Sequence, residues 1–132
     1  MENIDYLKKF WSKKKVFITG HTGFKGSWLC IMLNHLGSKI YGYALKAEKN
    51  SLFNKSKIIK NLASNNYSNI NDITKLKKIL KKTKPEIIFH LAAQPLVLES
   101  YKKPLETFST NIIGTLNLLE SIRTIKSIKS VV

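Results

Sequence analysis

At 132 residues the chain has the length of one domain, enough to bury about two-thirds of the surface its unfolded form exposes. The formal charge of +15 invites a nucleic-acid partner, but the excess is scattered lysine, Arg123 is the only arginine, and no zinc-finger or RNA-binding signature is present, so nucleic acid is not expected as the partner. No apolar run reaches the length of a membrane span, and the start Met1-Glu2-Asn3-Ile4-Asp5 lacks the apolar core of a signal peptide, so a cytoplasmic chain with no membrane partner is expected.

Tyr6 to Trp11 reads as a short amphipathic helix covering an edge of a sheet. Lys15 to Thr19 is a β-branched and apolar first strand. It runs into Gly20-His21-Thr22-Gly23-Phe24-Lys25-Gly26, three glycines spaced G-x-x-G-x-x-G, and then into an apolar helical pattern. A dinucleotide pyrophosphate needs this arrangement. Gly20 lets the chain turn off the strand, Gly23 lets backbone approach the phosphates, and Gly26 lets the helix pack on the strand. The free N–H groups and the positive dipole end of that helix then face the anion. The bland alternative is a strand–turn–helix with ordinary loop glycines.

The helix should run from Phe24 or Lys25 to Leu36, with Leu29, Met32, Leu33 and Leu36 on one face and Gly37 ending it. Cys30, the only cysteine, lies in this run as a small buried hydrophobe, so no disulfide forms within the chain. Lys39 to Ala44 is a second strand. Lys46 to Asn66 is polar and lysine-rich, a variable loop holding a short helix or two. Tyr67 to Asn71 reads as a third strand, and Asp72 or Thr74 caps a helix that buries Ile73, Leu76, Ile79 and Leu80. Glu86 to Leu91 is a fourth strand whose continuous apolar character fits the centre of a parallel sheet. Pro104 opens a long helix to about Ile122, with Leu105, Phe108, Ile112, Leu116 and Leu119 at helical spacing. Gly114 inside it costs about 1 kcal/mol relative to alanine, which points to close packing. Ile128 to Val132 begins a fifth strand.

Alternating strands and helices predict an α/β fold, a Rossmann-type doubly wound parallel sheet, here truncated in the fifth strand. The ligand should sit at the C-terminal strand ends, beside the first strand. Four segments meet there: Gly20 to Gly26, Tyr43-Ala44, Asn71-Asp72-Ile73 and Leu91-Ala92-Ala93-Gln94. No cluster of metal ligands is expected.

The wording Gly-His-Thr-Gly-Phe-Lys-Gly-Ser-Trp-Leu, with Tyr41-Gly42-Tyr43-Ala44-Leu45 and Ser51-Leu52-Phe53, resembles the extended short-chain dehydrogenase/reductases. Within them it is similar to the CDP-glucose 4,6-dehydratase family. So are His90-Leu91-Ala92-Ala93-Gln94-Pro95-Leu96-Val97 and Thr110-Asn111-Ile112-Ile113-Gly114-Thr115. The resemblance covers the chain except Lys46 to Asn66. It implies bound NAD, a nucleotide-sugar substrate (CDP-glucose), and a homodimer when full length. The implied reaction takes hydride from C4 of the sugar, removes water across C5 and C6, and returns the hydride to C6.

The resemblance also implies roles. Gly20, Thr22, Gly23, Phe24, Lys25 and Gly26 line the pyrophosphate. Asp72 accepts from the adenine amine, with Ile73 beside the ring, unless Asp72 is only a helix cap. Leu91, Ala92, Ala93 and Gln94 follow the ribose and nicotinamide side, and Thr110 reaches the cofactor. Asn111 supports the active-site backbone or its water. His90 reads as a packed strand-end histidine, and Ser100 and Tyr101 either pack at a helix end or touch substrate. The second strand ends without the carboxylate that holds an NAD ribose, and Lys46 could meet the 2′-phosphate of NADP. The family's Thr-Thr-Asp segment, its Tyr-x-x-x-Lys pair and its sugar domain would follow residue 132. The chain is therefore expected to be an incomplete cofactor domain over residues 1–132, with no catalytic residue of its own, inactive and marginally stable alone. Two other readings stay open: another NAD(P)-dependent nucleotide-sugar epimerase or dehydratase, and a non-catalytic dinucleotide-binding module.

Overall fold

Val16, Phe17 and Ile18 have no solvent exposure, so the strand that carries them is covered on both faces. In the computed structural model, which describes residues 2–132, this strand is β1 (Lys15–Thr19). It pairs in parallel with β2 (Lys39–Ala44) on one side and β4 (Ile87–His90) on the other. β3 (Ser64–Tyr67) and β5 (Ser130–Val131) complete a parallel sheet in the order β3-β2-β1-β4-β5. Side chains alternate across a strand, and so build two cores. Val16, Ile18 and Ile40 meet Cys30 and Leu33 of α2 (Phe24–His35), together with Phe53 of α3 (Leu52–Lys55) and Ile58. Phe17, Tyr43 and Ile88 meet Leu76 and Leu80 of α4 (Ile73–Thr83), together with Leu118 of α7 (Gly114–Ile122). Helix–sheet–helix layering follows directly from a strand that is apolar and buried at its three middle positions.

The N-terminal helix is α1 (Glu2–Trp11), and its Trp11 packs against the first core beside Phe89. At the N-terminal side of the sheet, Glu86 accepts from the Lys15 amide at 3.2 Å and pairs with Lys14 at 3.3 Å and Lys129 at 3.5 Å. The Lys15 amide, more than the two lysines, holds its carboxyl below the usual range.

Several expectations change. The third strand lies at Ser64–Tyr67 rather than Tyr67–Asn71. The run Ser64-Asn65-Asn66 has no apolar alternation, so pattern reading passes over it. As an edge strand it needs one neighbour only, and Asn66 Nδ2 donates to the Gly42 carbonyl at 3.1 Å. The polar loop before it does carry a short helix and a 3₁₀ turn at Ile58–Asn61. In α2 the inward face is Gly26, Ser27, Cys30 and Leu33, with Leu36 just beyond, whereas Met32 and Trp28 are about half exposed. That helix is apolar nearly all round, so its periodicity does not single out a face.

The long helix from Pro104 is in fact three pieces: α6 (Pro104–Phe108), a π-helical turn (Ser109–Ile113) and α7. A further helix not foreseen, α5 (Val97–Lys102), precedes them. Gly114, Leu118 and Ser121 form the inward face of α7 against α4, while Leu105, Phe108, Ile112, Leu116 and Leu119 are exposed. The close packing expected at Gly114 is present: a Cβ there would stand 2.5 Å from Ile70 Cγ2. The fourth and fifth strands are each shorter than expected, at Ile87–His90 and Ser130–Val131.

Candidate functional site

A cleft of about 740 Å³ opens at the C-terminal ends of the strands, where β1 and β4 separate the two halves of the sheet. Its walls are Gly20 and Thr22 to Gly26 after β1, Tyr43 to Leu45 at the end of β2, Ser68 to Asn71 after β3, and Leu91 to Ala93 after β4. Pro95, Glu106, Ser109 and Thr110 close the far side.

Backbone proximity explains the glycines. Gly20 has φ +72°, and a Cβ on it would stand 2.6 Å from the Leu91 carbonyl. A Cβ on Gly26 would fall on the Gly20 carbonyl oxygen. Gly23 differs: its Cβ would meet only the Gly20 oxygen, at 3.4 Å, so the space beyond it is open to the cleft. Gly23 is also the N-cap of α2, with no side chain capping that helix and no acidic residue in its first turn. The first amides of an α-helix have no intrahelical acceptor, and here no side chain replaces one. Uncapped amides, the positive dipole end and Lys25 therefore face the same cleft, an arrangement that suits a phosphate.

Side-chain bonds fix this loop. Thr22 Oγ1 donates to the Leu45 carbonyl at 2.9 Å, and Ser27 Oγ donates to the Gly23 carbonyl at 2.7 Å. His21, fully buried, lies over Gly42 and edge-on to Phe53, with Nε2 2.5 Å from Asn65 Oδ1. Burial lowers its pKa against the opposing pull of its hydrogen bond to Asn65. Tyr43 ties the end of β2 to the turn after β3, its hydroxyl donating to the Asn69 carbonyl at 3.0 Å. Burial raises its pKa.

The expected residues Gly20, Thr22, Gly23, Phe24, Lys25, Gly26, Leu91, Ala92, Ala93 and Thr110 all lie in the cleft walls. Asp72, Ile73, Gln94 and Asn111 do not. Asp72 Oδ1 accepts from the Lys75 amide at 3.0 Å, and its Oδ2 accepts from Ser68 Oγ at 3.3 Å, so both oxygens are engaged in capping α4 and its turn. Because β3 ends at Tyr67, the positions that follow the strand are Ser68 to Asn71, four residues earlier than the sequence pattern suggests. Gln94 and Asn111 stand behind the wall, with Asn111 Oδ1 accepting from the Gln94 amide at 2.8 Å. His21, Gly42 and Asn65 were not anticipated, since their link exists only in three dimensions. Ser100 is part of α5 and Tyr101 is largely exposed on it.

Lys46 is not among the cleft walls, and the last residues of β2, Tyr43 and Ala44, are uncharged. The charged side chains in the walls are Lys25 and Glu106.

The profile described as GDP-mannose 4,6 dehydratase matches residues 17–132. CDP-glucose 4,6-dehydratase of Salmonella typhimurium is 48% identical over 126 residues, covering 95% of this chain and 35% of that protein. A UDP-glucose-4-epimerase from Stenotrophomonas maltophila, solved with bound NAD and formylated UDP-arabinopyranose, superposes with a TM-score of 0.71 at 25% identity, over 83% of this chain and 33% of that one. An epimerase from Methanothermobacter thermautotrophicus superposes with a TM-score of 0.79 at 23% identity, over 97% of this chain and 37% of that one, a likeness of fold. The chain spans about a third of the length of the relatives it matches.

Proposed function

The chain belongs to the GDP-mannose 4,6-dehydratase family, and from that premise we propose that it forms the NAD-binding part of a dehydratase acting on CDP-glucose. The observation that carries this reading is the uncapped, glycine-lined start of α2 opening on a cleft at the strand ends. The 48% identity to a CDP-glucose 4,6-dehydratase supports the choice of nucleotide sugar. NAD, when bound, supplies hydride acceptance from C4 of the glucose and hydride return to C6, once water has left across C5 and C6.

The chain's own residues bind and orient. The amides at the start of α2 receive the pyrophosphate, and Lys25 adds a point charge there. Ser68 to Asn71 take the adenine end, with Asp72 holding their turn from behind. Leu91, Ala92 and Ala93 form the wall along the ribose and nicotinamide side, and Thr110 closes it. No residue of the chain is assigned the acid or the base of the dehydration. The NAD bound in the Stenotrophomonas maltophila epimerase supports NAD as the cofactor, and Lys46, which the sequence offered to a 2′-phosphate, lies outside the cleft walls. The whole protein is a cytoplasmic enzyme that pairs with a second copy through the exposed stripe of Leu105, Phe108, Ile112, Leu116 and Leu119.

The test has two arms. Calorimetric titration of the chain should give NAD binding and much weaker NADP binding; no binding of either sinks the cofactor reading. The whole protein, supplied with CDP-glucose, should release a 4-keto-6-deoxy product. An epimerised nucleotide sugar, or turnover of GDP-mannose in preference, would replace the substrate assignment.

A further inference from the structure

Thr19, at the end of β1, meets a histidine on the neighbouring strand. Its Oγ1 lies 2.7 Å from His90 Nδ1, 3.1 Å from the Leu91 amide and 3.2 Å from the Ala92 amide. Amide N–H groups only donate, so the hydroxyl oxygen accepts from Ala92 and shares the Leu91 amide with the Thr19 carbonyl, 3.0 Å from that nitrogen. Its own proton is left for one acceptor, His90 Nδ1, which therefore carries no hydrogen. A neutral imidazole with bare Nδ1 carries its proton on Nε2. That nitrogen lies 2.9 Å from Thr115 Oγ1, which gives its own proton to the Asn111 carbonyl at 2.7 Å and so accepts from the ring. Donors thus run one way: Thr19 to His90, His90 to Thr115, Thr115 to the Asn111 backbone.

The same Asn111 returns to the loop. Its Oδ1 accepts from the Gln94 amide at 2.8 Å and its Nδ2 donates to the Gln94 carbonyl at 3.2 Å. The segment after β4 is therefore anchored at its start by Thr19 and at its end by Asn111, and His90 joins the two anchors. Its placement is tight, because Gly20 of the glycine loop has no room for a Cβ against Leu91.

We propose that His90 is a positioning residue: a neutral Nε2–H imidazole that couples β1 to α7 and so holds Leu91, Ala92 and Ala93 as a preformed wall for the nicotinamide half of the dinucleotide. The proposal rests on the reading of the cleft as the NAD site. Burial lowers the pKa of this ring, in keeping with a neutral state. The role needs an acceptor and a donor on opposite sides of one rigid group, which an imidazole supplies.

The test begins without ligand. Long-range proton–nitrogen spectra of the labelled chain should show His90 as the Nε2–H tautomer, and the Leu91 and Ala92 amides should exchange as slowly as those of the central strands. An Nδ1–H tautomer, or fast exchange at both amides, overturns the proposal. Thr115→Val, equal in shape but without the hydroxyl that accepts from the ring and donates to the Asn111 carbonyl, should weaken NAD binding about five- to tenfold. Thr115→Ser should bind as the wild type does. Unchanged affinity in a folded Thr115→Val protein overturns the positioning role and leaves the NAD site standing. A wild-type chain with the expected tautomer and no NAD affinity removes the cofactor reading and the proposal with it.

Discussion

Gly23 caps α2 in the glycine loop and Gly42 lies within β2 against His21 of that loop, and their substitution should fail in different ways. A side chain at Gly23 meets only the Gly20 oxygen at ordinary contact distance, so Gly23→Val should fold while filling the space claimed for pyrophosphate. NAD affinity should fall at least tenfold by calorimetry with the urea midpoint little changed. A Cβ at Gly42 falls on the buried ring of His21. Overpacking of this kind costs about 1–3 kcal/mol, so Gly42→Ala should lower the urea midpoint and disturb NAD binding only through the loop that His21 anchors. The same histidine makes stability depend on pH. Burial lowers the pKa of His21 and of His90 in the fold, while the unfolded chain takes up those protons near pH 6.5. Below that value the unfolded state binds more protons, so the stability present above pH 6.5 is lost as pH falls toward the folded pKa values. Glu86, also lowered, adds a second loss beginning only below its unfolded value of about 4.3. Urea midpoints at about pH 8 and about pH 5.5 check this: the midpoint should be lower at the acid value, and equal midpoints would contradict the neutral, buried histidines.

At the scale of elements, α7 shows how packing overrides propensity. Alanine is a better helix former than glycine by about 1 kcal/mol. At position 114 that gain meets Ile70, a buried β-branched side chain whose Cγ2 would stand 2.5 Å from the new Cβ. The clash outweighs the propensity, so Gly114→Ala should lower the melting temperature by a few degrees, about what 1 kcal/mol removes from a domain of this size. Ile70→Leu, which has no γ2 methyl, should recover part of that loss in the double variant. Ile70 also lines the cleft, so the strain at α7 should be felt as weaker dinucleotide binding. The π-helical turn at Ser109–Ile113 has a related effect. It interrupts a helix that sequence periodicity carries through unbroken, and the interruption contains Ser109 and Thr110, which line the cleft, and Asn111, which holds Gln94.

For the molecule as a whole, one unanswered surface is the set of Leu105, Phe108, Ile112, Leu116 and Leu119, each about half exposed or more. Leu105 reaches 86% exposure. Contiguous exposed apolar side chains of this extent mark a contact surface. The isolated chain should therefore self-associate as its concentration rises in sedimentation experiments, despite its charge of +15. Leu116→Lys together with Leu119→Lys should shift it toward monomer without lowering the melting temperature, since neither side chain is buried in the fold. A wild-type chain that stays monomeric at high concentration would contradict this. Among the described residues no helix is long and apolar enough to cross a membrane.

The sequence by itself determined the layered α/β order, the central strands and the glycine loop. Each of these is written in local pattern: β-branched runs of strand length, glycines at fixed spacing before a helix, and Gly114 within an apolar stripe. Tertiary structure alone decided where the edge strand lies, because Ser64-Asn65-Asn66 is held by β2 and carries no apolar period of its own. It decided that Asp72 caps a helix while Ser68 to Asn71 face the cleft, since moving the strand end by four residues moves every position after it. It decided which side of the last helix faces inward, because the stripe richest in leucine points away from α4. It also decided the hydrogen-bond partners of His21 and His90. Their partners Asn65, Thr19 and Thr115 are 25 to 71 residues away in the chain. Hydrogen bonds that depend on a sheet bringing distant strands side by side leave no spacing in the sequence from which to read them.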